Sequence, residues 1–165
     1  ILMLGDETAG KKSLTNHYIS GFVPVDVTAK TGVDFYSKET SYNERKIKLH
    51  LWDFGGEERF QFLFHQYCKG ANGVLILYNI TNPNSLEHLP DWTNFIREHA
   101  GDIPIMLVGT KAHLEEERAV TREQGIELAR IHNLSGFIEV SSKTGQNVEH
   151  LFETMMKKLF EKYLP

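Results

Sequence analysis

The stretch GDETAGKKS, residues 5 to 13, carries the residue types that hold a phosphate. Gly5, Gly10 and Lys11 stand at the GxxxxGK spacing. In that arrangement the backbone N–H groups of a loop and of the helix after it point at the phosphates, and the lysine adds a point charge. Gly5, Thr8, Ala9, Gly10, Lys11 and Ser13 are the candidate contacts. The position after the lysine ordinarily supplies a Ser or Thr hydroxyl to a magnesium ion. Here it is Lys12. Ordinary Gly-rich turns also match this spacing, and what favours a phosphate site is the placement straight after the apolar run ILML.

A second acidic motif is WDFGGEERF, residues 52 to 60. An Asp at the carboxyl end of a strand, followed by two glycines, suits a magnesium carboxylate and a close backbone approach to a terminal phosphate. Asp53 is the candidate carboxylate and Gly56 the candidate backbone donor. A capping Asp in a Gly-rich turn reads the same way in isolation; the phosphate loop one strand earlier favours the first reading.

Such groups meet only if strands deliver them to one edge. GVLILYNIT (73 to 81) and IPIMLVGTK (103 to 111) are continuous apolar runs of strand length, as parallel strands covered on both faces require. KIKLHLWD (46 to 53) alternates instead, Ile47, Leu49 and Leu51 against Lys48, His50 and Trp52. With YNER as a turn after GVDFYSKET, that pair reads as a hairpin at a sheet edge. Thr121 and Gln124 form a capping box before GIELARIH, and Val148, Leu151, Phe152, Met155, Leu159 and Phe160 fall on one face of a C-terminal helix. The run EEER (115 to 118) reads as a solvated loop. Strands alternating with helices imply an open, mostly parallel α/β sheet, whose ligands bind beyond the carboxyl ends of the strands.

The 165 residues suit a single domain, residues 1–165, with no internal repeat or linker. At 41% hydrophobic, 24% charged and a net charge of −4, the composition is that of a soluble protein without a nucleic-acid footprint. Cys68 is the single cysteine and fits a reducing, cytoplasmic setting. No apolar run reaches the roughly 18 residues of a membrane span. The expectation is that any lipid anchor, and with it a peripheral membrane location, resides in a tail beyond these residues.

In six segments, GDETAGKKSL, TGVDF, KLHLWDFGGEERF, YCKGANGVLILYNIT, MLVGTK and EVSSKTGQNVEHLF, the chain resembles a small GTPase of the Ras superfamily, nearest the Rab branch, over essentially its whole length. The resemblance implies a Ras-like P-loop fold: a six-stranded, mostly parallel sheet with one antiparallel edge strand, flanked by about five helices. It also implies a guanine nucleotide, GDP or GTP, as cofactor. Lys11 matches the phosphate-loop lysine, Asp53 the magnesium carboxylate, and Gly56 the glycine whose N–H senses the γ-phosphate. Lys111 matches the lysine along the guanine, and Ser141, Ser142 and Lys143 match the last base-binding box. Phe35, Trp52 and Tyr67 match the aromatic trio of the Rab effector face, so protein partners are expected on segments 29–35 and 53–67.

The departures fall on the active positions. Lys12 and Lys30 replace both hydroxyls that would ligate magnesium. The neighbouring Ser13 and Thr31 are poor substitutes, because one step turns a helical side chain by about 100° and reverses a strand side chain. Glu57 replaces the Gln that positions the attacking water, and Glu7 brings a carboxylate close to the γ-phosphate position. In TKAH, 110 to 113, Thr110 stands for Asn, and His113 replaces the Asp that accepts two hydrogen bonds from guanine. A neutral imidazole accepts at most one. Slow hydrolysis and reduced base selectivity are therefore expected. At the metal position three arrangements stay open: Lys12 and Lys30 replace Mg²⁺ with Asp53 or Glu7 paired to one of them, Lys12 points to solvent and binding is weak or absent, or Ser13 or Thr31 still recruits a metal. Three functional readings follow: a nucleotide-dependent Rab-like switch, a pseudo-GTPase interaction module, and a P-loop protein for another nucleotide.

Overall fold

The computed structural model describes residues 1–20, 33–54 and 61–165, with backbone only for Ser20, Val33 and residues 61–64. Lys30, Thr31, Gly56 and Glu57 lie outside the described residues. In chain order the elements are β1 (Leu2–Leu4), α1 (Lys11–Ser20), β2 (Val33–Tyr42), β3 (Arg45–Phe54), α2 (Gln61–Cys68), β4 (Val74–Asn79), α3 (Leu89–Ala100), β5 (Ile105–Thr110), α4 (Arg122–Ile131), β6 (Gly136–Glu139) and α5 (Val148–Tyr163).

The six strands lie in the order β2-β3-β1-β4-β5-β6. Every neighbouring pair is parallel except β2 with β3, the antiparallel edge hairpin expected from the sequence. Its turn is Asn43-Glu44, with φ of 49° and 63°. Two left-handed residues between strands match the right-handed twist of a hairpin. Asn tolerates that region, whereas Glu carries the Cβ penalty of about 1 kcal/mol. Glu44→Gly is expected to raise the unfolding free energy by about that amount, read as a shift in the urea midpoint at constant slope; an unchanged or lower midpoint contradicts it.

Alternation along the buried strands sorts the core into two layers. Leu75 and Leu77 of β4 join Met3, Leu14, Leu151 and Phe152 under α1 and α5. Val74, Ile76 and Tyr78 of the same strand join Leu4, Ile96 and Ala129 under α3 and α4. Successive strand residues face opposite ways, so a strand buried on both faces must be apolar throughout, as β4 and β5 are. The C-terminal stripe is buried at Val148, Leu151, Phe152 and Met155, and Leu159 packs on the same cluster. The capping box of α4 is complete: Gln124 N–H donates to Thr121 Oγ1 at 3.1 Å, and Thr121 N–H to Gln124 Oε1 at 2.8 Å.

The acidic run is solvated, as read, at its three glutamates and departs from that reading at its last residue. Glu115–Glu117 form an exposed 3-10 turn, but Arg118 folds inward. Its guanidinium donates to both oxygens of Glu139 at 2.6 and 2.9 Å and to both of Glu115 at 2.8 and 2.9 Å. Paired, fork-shaped contacts of this kind fix geometry as well as charge, and here they tie the loop after β5 to β6.

Candidate functional site

The loop between β1 and α1 is shaped by its glycines. A Cβ on Gly5 would sit 2.8 Å from Ala9 Cβ and 2.9 Å from Leu77 O, and Gly10 has φ of 74°. Between them, Asp6 caps a 3-10 turn, Glu7–Ala9, accepting from Thr8 N at 2.9 Å and from the Thr8 hydroxyl at 2.8 Å. Lys11 folds back under this loop. Its ammonium donates to Gly5 O at 2.7 Å and to Asp6 O at 3.3 Å, and the residue is 7% exposed. Burial pulls the Lys11 ammonium below the ordinary lysine range, while the charges of Asp53, Asp6 and Glu7 resist that pull. Glu7, Thr8, Lys12 and Ser13 are exposed, and Ala9 is buried.

Asp53 comes to the same place from the carboxyl end of β3. It is 6% exposed, and among the described residues its Oδ1 has no hydrogen-bond partner. Opposite it in the antiparallel ladder lies Asp34, whose Oδ1 is also buried without a partner among the described residues. Directly opposed residues share a face of the sheet, so two carboxylates converge where the sequence showed one. Burial pushes the Asp53 carboxyl up to about 6; Asp34 adds to the rise, and Lys11 and Lys12 oppose it.

Phe35, Trp52 and Tyr67 pack against one another in series. The rings of Phe35 and Trp52, cross-strand partners, have centroids 4.5 Å apart, and Trp52 and Tyr67 of α2 lie at 4.8 Å. Phe35 is 48% exposed, a large apolar side chain left on the surface.

The other end of the site lies beyond β5 and β6. Thr110 is buried, and its hydroxyl donates across the sheet to Tyr78 O at 2.9 Å, a strand tie. Lys111 has φ of 62°, and the turn it makes lets Ala112 N–H donate to Val140 O at 3.0 Å. That link carries His113 to Ser141, where His113 Nδ1 and Ser141 Oγ are 2.7 Å apart. Ser141 is fully buried, Ser142 half-buried and Lys143 exposed. The sequence pointed to Asp53, His113 and Ser141 singly; it missed Asp34 and the His113–Ser141 bond. Asp34 was within reach, since an acid in an otherwise apolar-aromatic strand start, VDFY, is the kind of residue that needs a reason.

The resemblance implies a magnesium ion, and the described residues do not fit one held by hydroxyls. Mg²⁺ demands near-octahedral oxygen ligation at close range. Lys12 stands where the loop hydroxyl would be, while Asp53, at the end of β3, stands where the magnesium carboxylate would be. What Asp53 and Asp34 do present, two buried oxygens with no partner among the described residues, calls for a cation or a donor of some kind.

The sequence model of the Ras family matches residues 1–161. The chain is 36% identical over 165 residues to the Ras-related protein Rab-26 of Bos taurus, covering 99% of this chain and 64% of that protein. It is 37% identical over 161 residues to the Ras-related protein Rab-37 of Homo sapiens, covering 96% and 72%. With the Ras-related protein RABC2a of Arabidopsis thaliana the identity is 39% over 164 residues, covering 98% and 77%. No helix among the described residues is long and apolar enough to cross a membrane. Similarity of this depth over nearly every residue, on a sheet of this order with a glycine loop after β1, makes the chain a Rab-like member of the Ras superfamily of small GTPases.

Proposed function

We propose that this chain is a guanine-nucleotide switch for trafficking-type recruitment, in which the ammonium groups of Lys12 and Lys30 take the electrostatic part of magnesium. The observation that carries the reading is Asp53, a buried carboxylate with an orphaned oxygen that feels the charges of Lys11 and Lys12 together. Two ammonium groups carry the charge of one Mg²⁺ without its ligation geometry. In this reading Lys11 and the loop N–H groups hold the phosphates, Lys12 and Lys30 neutralise their charge, and Asp53 anchors one of the two lysines. Thr110, Lys111, His113, Ser141, Ser142 and Lys143 surround the base.

Hydrolysis in this family rests on positioning and charge stabilisation. With Glu57 in place of a neutral amide, the group nearest the attacking water repels the γ-phosphate, so turnover is slow and the loaded state long-lived. The partner surface is the aromatic trio Phe35, Trp52 and Tyr67 with segments 29–35 and 53–67, whose shape follows the γ-phosphate.

The test is the affinity for labelled GDP and GTP in magnesium and in EDTA, for the wild type and Lys12→Ser. Expected is binding that EDTA leaves unchanged in the wild type, and a magnesium requirement restored in Lys12→Ser. Wild-type binding that EDTA abolishes overturns the lysine assignment. No binding by a folded protein under any condition overturns the switch and makes the chain a pseudo-GTPase recruitment module.

A further inference from the structure

We infer that the His113–Ser141 pair makes the base end of the site a hydrogen-bond donor, so that it favours purine nucleotides that place an acceptor where guanine places N1–H or its 2-amino group, N1 of adenine or O2 of xanthine, over guanine. The inference rests on the nucleotide-switch reading above and, where it holds, replaces guanine in that reading with another purine.

The argument is an accounting of one proton. Ser141 is fully buried, and its Oγ accepts the backbone N–H of Thr144 at 3.2 Å. A hydroxyl has one proton to donate, and a buried donor left unmade costs roughly 1–3 kcal/mol. Among the described residues, the one acceptor within reach of the Ser141 hydroxyl is His113 Nδ1, at 2.7 Å. Were Nδ1 to carry the hydrogen instead, Ser141 Oγ would accept twice and its own proton would be stranded. The bond therefore runs from Ser141 to His113. Nδ1 is the bare nitrogen and the proton of the neutral ring sits on Nε2.

Nε2 has no partner among the described residues, and it belongs to a half-buried side chain at the carboxyl ends of β5 and β6, where ligands of an open α/β sheet bind. As an N–H, it needs an acceptor. Guanine presents N1–H and a 2-amino group along that edge, two donors, which an aspartate at this position would satisfy and an N–H opposes. Adenine offers N1 and xanthine offers O2. Protonation does not rescue guanine, because the imidazolium donates from both nitrogens. A carboxylate there is an acceptor at neutral pH; this ring is a donor in either charge state.

Two measurements on the intact chain test this. Nitrogen-15 NMR of the histidine rings reads the tautomer directly, without any nucleotide: the expected result is a bare Nδ1 and a protonated Nε2 on His113, and the opposite tautomer overturns the inference. Competition of GDP, ADP and XDP against a labelled nucleotide reads selectivity. In the wild type, ADP or XDP is expected to bind at least as tightly as GDP, and His113→Asp to shift the ratio toward GDP by about tenfold or more, the worth of one charge-assisted hydrogen bond. A wild type that binds GDP more tightly than both competitors overturns the inference and leaves the switch intact. Failure of all three to bind overturns the switch itself.

Discussion

Phe152→Ala is expected to lower the unfolding free energy by about 4 kcal/mol, the range for emptying a fully buried aromatic site. Phe152 lies on α5 with no exposed surface, and its ring stacks on Tyr18 of α1 with centroids 3.7 Å apart and planes 8° from parallel. The loss therefore includes the ring's transfer into water, the cavity left under β1 and β4, and an aromatic contact of about 1 kcal/mol. The effect reaches the site because α1 begins at Lys11, and the Tyr18–Phe152 stack is what holds the far end of that helix on α5. Phe152→Leu, which keeps most of the volume, should cost about 1.5 kcal/mol. Urea unfolding followed by far-UV circular dichroism separates the two. A cost under about 1 kcal/mol for the alanine variant would mean that this position collapses without a cavity and that the stack positions nothing.

Phe152 also marks where legibility in the sequence ends. Its burial follows from spacing alone, because Val148, Leu151, Phe152 and Met155 recur at helical period, and that periodicity is local. Its partner Tyr18 lies far away in sequence, where no period reaches. The same division runs through the rest of the fold. The edge hairpin, the two continuous apolar strands and the Thr121 cap depend on neighbours a few residues apart, and each was read correctly. Asp34 beside Asp53 depends on a strand register, Arg118 on Glu139 depends on a crossover, and His113 on Ser141 depends on two loops meeting at the sheet edge. Gly125 shows how local reasoning misleads. A glycine inside α4 reads as a weak helix position that alanine would improve, yet a Cβ there would lie 2.4 Å from the Phe137 ring and 2.6 Å from the Tyr78 hydroxyl. The chemistry-bearing residue types were visible in the chain; the partners that set their protons and charges were not.

Asp53→Asn is expected to stabilise the protein at neutral pH, an outcome opposite to that of most substitutions at buried polar positions. Measured without added nucleotide or divalent metal, the folded Asp53 carboxyl stands at about 6, raised first by burial and then by Asp34, against the pull of Lys11 and Lys12. In the unfolded chain it returns to about 3.9. Between those values the folded state holds the proton more tightly than the unfolded state, so stability falls as pH rises from about 4 to about 6 and levels off above. The full difference is about 2 pH units, or roughly 3 kcal/mol as an upper bound. An asparagine never ionises. Its amide also places a donor on the face where Asp34 Oδ1 has no partner among the described residues. The variant should therefore lose the fall between pH 4 and 6 that the wild type shows and exceed the wild type by about 2 kcal/mol at pH 7. Parallel stability–pH curves for the two proteins would remove Asp53 as a carboxylate kept under electrostatic tension. With that tension would go the physical reason for a cation, whether lysine or metal, to settle beside it.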